Sequence, residues 1–90
     1  MAIENRHIII NEKGLHARAS AKLVETVERF NANALISKDD ISVSGDSIMG
    51  LLMLAASKGQ EINIITSGPE EKKLSQALTN LISNRFEEDL

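Results

Sequence analysis

The sequence predicts an α+β fold, a four-stranded sheet with three helices on one face, and three observations carry that expectation. Apolar residues recur at helical spacing in three separate segments. Four short segments rich in β-branched or alternating apolar residues lie around them. Clusters of Gly, Asn, Asp and Pro divide these segments into the order β-α-β-β-α-β-α.

Ile3 to Ile10 is dense in isoleucine and reads as the first strand, closed by Asn11-Glu12-Lys13-Gly14. From Ala17 to Phe30 the period changes, and Ser20, Leu23, Val24, Val27 and Phe30 share one helical face. Ala34 to Lys38 and Ile41 to Ser44 form a hairpin about Asp39-Asp40. A two-residue turn pairs Lys38 with Ile41 and Ile36 with Val43. Gly45-Asp46-Ser47 signals a helix start, followed by Ile48, Leu51, Leu52 and Ala55 at helical spacing. Lys58-Gly59 then predicts a basic last turn and a glycine stop. Glu61 to Thr66 alternates, with Ile62 and Ile64 expected inward. Ser67-Gly68-Pro69-Glu70-Glu71 opens the last helix with proline in its first turn, and Leu74, Leu78, Leu81 and Ile82 form its apolar stripe.

Ninety residues make one domain, residues 1–90, with no room for a second folding unit. There is no cysteine, so disulfides and thiolate metal sites are excluded. The longest apolar run, Ile48 to Ala56, is nine residues, where a membrane span needs about 20. The first residues lack the apolar core of a secretory signal, and a small cytoplasmic domain without membrane insertion is expected. A formal charge of −3 and two aromatic residues, Phe30 and Phe86, argue against nucleic acid, which selects basic faces and stacking rings.

Common enzyme constellations fail. Gly45 and Gly50 have the spacing of a phosphate loop, but Leu51-Leu52 follows where Lys-Ser/Thr is required. No Gly-x-Ser-x-Gly elbow exists, and two histidines without cysteine fall short of a standard zinc site. Neither a metal nor a cofactor is expected. What remains is Gly14-Leu15-His16-Ala17-Arg18, a glycine-broken loop entering a helix. A histidine there lies beside the free N–H groups of the first turn, whose positive dipole end favours a neutral, nucleophilic ring. The same N–H groups can hold an anion attached to the ring, and Arg18 offers a planar fork of donors to it. The residues alone leave a second reading open, with His16 an incidental residue of the cap region and Arg18 a solvated charge.

Gly14-Leu15-His16-Ala17-Arg18 resembles the active-site loop of HPr, the histidine phosphocarriers of the bacterial phosphotransferase system. Ser47-Ile48-Met49-Gly50 resembles the second signature of that family, and Leu51 through Gly59 fits it too. The resemblance spans essentially the whole chain. It implies an open-faced sandwich with an antiparallel sheet in the order 1-4-2-3. It makes His16 the residue phosphorylated on a ring nitrogen, with Arg18 and Ala17 binding the phosphate. Phosphorylated enzyme I would be the donor and a IIA-type protein the acceptor, with the carrier a monomer. Leu15, Ser20, Ile48, Met49 and Leu52 would meet these partners, Met49 and Leu52 as exposed members of the second helix. Ser47 would be a regulatory site, since an ATP-dependent kinase modifies this segment in some HPr proteins. An alternative within the family is a regulatory protein that acts mainly by phosphorylation-dependent binding.

One departure is plain: the family usually has proline after the arginine, and Ala19 stands here. The other histidine, His7, lies mid-strand and reads as structural. Glu87-Glu88-Asp89 reads most simply as a solvated acidic tail, though it also resembles the ends of nitrogen-branch carriers.

Overall fold

The computed structural model describes residues 1–88 and runs β1 (Ile3–Ile8), α1 (Ala17–Glu28), β2 (Asn33–Lys38), β3 (Ile41–Ser44), α2 (Ile48–Leu54), β4 (Glu61–Ser67) and α3 (Glu71–Ser83). A short 3-10 turn over Arg85–Glu87 follows. The four strands form one sheet in the order β1-β4-β2-β3, with every neighbouring pair antiparallel. The hairpin pairs Lys38 with Ile41 and Ile36 with Val43, the register expected for a two-residue turn. Asp39 supplies its left-handed residue at φ 55°, a conformation aspartate tolerates better than most residues.

One face of the sheet carries the core. Ala34, Ile36, Ile62 and Ile64 point inward and meet Leu23 and Val27 of α1, Leu51 and Leu54 of α2, and Leu74 and Leu78 of α3. Each such aliphatic side chain contributes about 1.5–3 kcal/mol on leaving water. On the opposite face the alternate residues are exposed or half-exposed, Leu35 and Glu4 among them. Among the described residues no helix is long and apolar enough to cross a membrane.

Strand β1 ends at Ile8 rather than Ile10, β2 and β4 each run one residue longer than expected, and three helix boundaries also differ. Helix α1 ends at Glu28, and Phe30 lies beyond it, half-buried against the core. Helix α2 stops at Leu54, short of Lys58-Gly59, because Ala55 turns left-handed at φ 50° and becomes exposed. Lys38 Nζ donates to Leu54 O at 3.1 Å, so a cation from the hairpin serves the free carbonyl end. Gly59 instead sits in the turn from Ser57 to Gln60, where its N–H donates to Ile9 O. Helix α3 begins at Glu71, with Pro69 outside the first turn. Glu70, its cap residue, accepts Asn31 N–H at 2.8 Å, which ties the end of α1 to the start of α3 and holds the Glu70 carboxyl below its usual range.

Candidate functional site

The loop after β1 is tied down before it reaches its histidine. Ile9 N–H donates to Gln60 O (2.9 Å), Gly14 N–H to Asn11 O (3.2 Å) and Leu15 N–H to Ala56 O (2.9 Å). Asn11 is fully buried and donates from Nδ2 to Gly14 O at 2.8 Å. Gly14 is left-handed at φ 63°, and a Cβ there would overlap the carbonyl oxygen of Ala56. Only glycine lets the loop pass this close to the chain that follows α2.

His16 is itself the N-cap of α1. Its backbone is extended (φ −78°, ψ −179°), and Nδ1 accepts Arg18 N–H at 3.2 Å. A hydroxyl, carboxylate or amide oxygen usually does this; here an imidazole nitrogen does. An acceptor needs its lone pair, so the ring proton resides on Nε2. Nδ1 therefore carries the in-plane lone pair, and it lies at the helix start, where the N–H groups of Ala17, Arg18 and Ala19 have no acceptor in the preceding turn. An anion attached to Nδ1 would meet those donors and the positive end of the helix. Ala17 and Arg18 are exposed, and the Arg18 guanidinium has no ion pair among the described residues. The site opens on a small cavity of about 250 Å³ lined by Lys13, His16, Arg18, Ala19, Phe86 and Glu88. Among the described residues, no three His, Asp or Glu side chains gather as a metal-holding group.

The other edge of the ring meets the end of the chain. Glu88 Oε2 lies 3.3 Å from His16 Nε2 and accepts Asn11 Nδ2 at 3.0 Å, while Oε1 accepts Lys13 N–H at 3.3 Å. The Asn11 amide, then His16 and Lys13, hold the Glu88 carboxyl below the usual glutamate range against a desolvation that opposes them. Glu87 is exposed but pairs with Lys22 Nζ at 2.7 Å. This corrects the reading of a solvated tail: Phe86, only 2% exposed, anchors the turn in the core and brings both carboxylates back to the body. Asp89 lies outside the described residues.

Around the second motif, Ser47 caps α2 by accepting Gly50 N–H at 3.0 Å. Met49 is 71% exposed, and Leu52 and Ile48 are exposed to a lesser degree. Met53 is as exposed as Met49. The patch adjoins the histidine loop, since the chain leaves α2 through Ala56, whose carbonyl holds Leu15.

Two expected partner contacts are corrected. Leu15 is 4% exposed and Ser20 fully buried, so their side chains serve the core. Leu15 turns inward where its N–H ties to Ala56. Ser20 lies on the stripe of Leu23 and Val27, with Oγ donating to Leu15 O at 3.3 Å. His7 stands half-buried on β1 opposite Ile62, and burial lowers its pKa. Three residues of the site were missed. Met53 could have been read from its position four residues after Met49. Asn11 and Glu88 carried no local signal.

Residues 3–84 match the family described as the PTS HPr component phosphorylation site. The chain belongs to the PTS HPr family. It is a phosphocarrier of the phosphotransferase system. The phosphocarrier protein HPr of Xylella fastidiosa is 45% identical over 87 residues, covering 97% of this chain and 98% of that protein. The crystal structure of HPr-C-His from Thermoanaerobacter tengcongensis matches with a TM-score of 0.92 and 35% identity, over 98% of this chain and 99% of that one. An HPr dimer from the same organism matches with a TM-score of 0.76 and 36% identity, over 91% and 95% of the two chains. The family match ends at residue 84, so the turn that carries Glu88 lies beyond it.

Proposed function

We propose that this chain accepts a phosphoryl group on Nδ1 of His16 from phosphorylated enzyme I, itself charged from phosphoenolpyruvate, and passes it to a IIA-type protein in the cytoplasm. The observation that supports this most is the capping role of His16, which aims the Nδ1 lone pair at the helix start. On phosphorylation the Arg18 N–H loses its ring acceptor and gains phosphate oxygens, together with Ala17 N–H. The exposed Arg18 guanidinium adds a bidentate counter-charge. A nitrogen–phosphorus bond suits a carrier, because imidazole leaves readily and the group passes on with little loss of free energy. The small surface site, with Ala17 and Arg18 exposed beside it, fits a protein that presents a phosphoryl group and lets each partner supply the remainder of the active site. Ile48, Met49, Leu52 and Met53 form the surface that both partners cover, and methionine adapts to more than one of them.

Ser47 is proposed as a regulatory phosphorylation site for an ATP-dependent kinase, because its hydroxyl borders this patch. A phosphate there would set about two negative charges beside Ile48 and Met49. The acting species is proposed to be the monomer, which sedimentation distinguishes from a dimer. The central test uses enzyme I and labelled phosphoenolpyruvate. One acid-labile phosphate per chain is expected, abolished in His16→Ala and retained in His7→Ala. Label surviving in His16→Ala would overturn the assignment.

A further inference from the structure

We propose that Glu88 is a positioning residue for phosphoryl transfer, acting through His16 by holding the Nε2 proton and balancing the charge that the ring acquires. The proposal rests on His16 being the phosphoacceptor. The geometry around the ring carries it. Arg18 N–H occupies Nδ1 at 3.2 Å, and Glu88 Oε2 lies 3.3 Å from Nε2 on the opposite edge, so the two contacts orient the imidazole and select one tautomer.

The carboxylate is built into place. Its side chain is 10% exposed and takes hydrogen bonds from Asn11 Nδ2 and Lys13 N–H. The preceding turn is anchored by buried Phe86 and by the Lys22–Glu87 pair. Arg85, Phe86 and Glu87 all have positive φ, between 53° and 60°. Three successive left-handed non-glycine residues are unfavourable, and such a turn persists only where its surroundings over-determine it.

The chemistry gives the carboxylate a task. As transfer proceeds the Nδ1–P bond forms, the donor's bond to phosphorus breaks, and the leaving group takes that electron pair. Nε2 keeps its proton, so the ring becomes cationic. The other charged groups lining the cavity are Lys13 from the loop and Arg18 from α1, both cations that oppose this charge. Glu88 is the anion on the cavity wall among the described residues. It faces Nε2 rather than Nδ1, so it stabilises the cationic ring without standing where the phosphoryl group binds.

The test compares the full chain with Glu88→Gln, which keeps the shape, and Glu88→Ala. In the unphosphorylated protein, nitrogen-15 shifts of the His16 ring at neutral pH should report nearly pure Nε2–H in the wild type and a mixed tautomer in Glu88→Ala. In the phosphorylated protein, the pH at which the ring loses its Nε2 proton should fall by about half a unit in Glu88→Gln. Phosphorylation by enzyme I should slow about two- to fivefold in the same variant. Unchanged ring shifts together with an unchanged pH midpoint overturn the proposal while leaving His16 as acceptor. Faster phosphorylation of Glu88→Gln also overturns it, because the carboxylate would then be blocking the site. The reading of His16 itself fails separately, if His16→Ala still takes the label.

Discussion

Replacing Gly14 with alanine tests whether the loop that carries His16 is held by a steric demand. The new Cβ would overlap the Ala56 carbonyl oxygen and lie 3.0 Å from Ser57 Cα. Both obstacles are backbone, and Ala56 O already accepts Leu15 N–H, so relief requires moving the loop away from the end of α2. Gly59 supplies the control, since it too is left-handed (φ 90°) but a Cβ there meets nothing within 4 Å. The left-handed backbone alone costs alanine about 1–2 kcal/mol, which both variants should show. Overpacking adds about 1–3 kcal/mol, which only Gly14→Ala should show. Each kcal/mol moves the melting temperature of a domain this size by about 4–8 °C. Thermal and urea unfolding followed by circular dichroism should therefore rank Gly14→Ala well below Gly59→Ala. Displacement of Leu15 should also shift His16 relative to the α1 start, and phosphorylation should slow in Gly14→Ala alone. Equal losses in the two variants would refute the steric argument.

Four further outcomes follow from the same geometry. Ala19→Pro should keep the fold within about 1 kcal/mol in thermal unfolding, because the third N–H of α1 has no acceptor in the preceding turn; a loss of several kcal/mol would show that the ring collides with the packing around buried Ala19. Ser47→Asp should fold with its helix cap intact, whereas Ser47→Ala loses about 1 kcal/mol of capping. Enzyme I should phosphorylate the aspartate variant much more slowly than the alanine one, and equal rates would end the regulatory reading. Met53→Glu should leave stability nearly unchanged, since the side chain is 71% exposed, yet slow transfer from enzyme I; an unchanged rate would remove Met53 from the docking face. The Glu88 carboxyl is depressed in the folded protein, so its contacts contribute above the ordinary glutamate value and weaken as pH falls through the lower folded one. Amide signals of the Asn11 side chain should thus shift only as pH falls below the ordinary glutamate range, and a carboxyl transition within or above that range would contradict the assigned bonds.

The sequence was most informative where the decisive signal is local. Helical spacing placed Leu23, Val24 and Val27 inward on α1, and alternation placed Ile62 and Ile64 inward on β4. Lys38-Asp39-Asp40-Ile41 specified the hairpin register, because a two-residue turn leaves one pairing. Element ends were less legible. Helix α2 stops at Leu54, where Ala55 turns left-handed and Lys38, from another element, serves the terminal carbonyl, and the composition near residue 59 does not reveal that. The residues expected to meet partners divide in the same way. Met49 and Leu52 could be assigned to an exposed face of a helix, but Leu15 is buried because its N–H meets a carbonyl far along the chain.

For the site, five consecutive residues around His16 singled out the candidate histidine, through their resemblance to a known loop more than through their chemistry alone, which left a second reading open. The tautomer of that ring was not legible in those residues. The tautomer depends on Arg18 N–H at one edge of the ring and Glu88 at the other, and Glu88 lies 72 residues from His16 in sequence. Helix periods, caps and turns involve neighbours a few residues apart, so they are written in the order of the residues. The contacts of Asn11 and Glu88, 77 residues apart, exist only because Phe86 packs in the core and folds the end of the chain back over the loop.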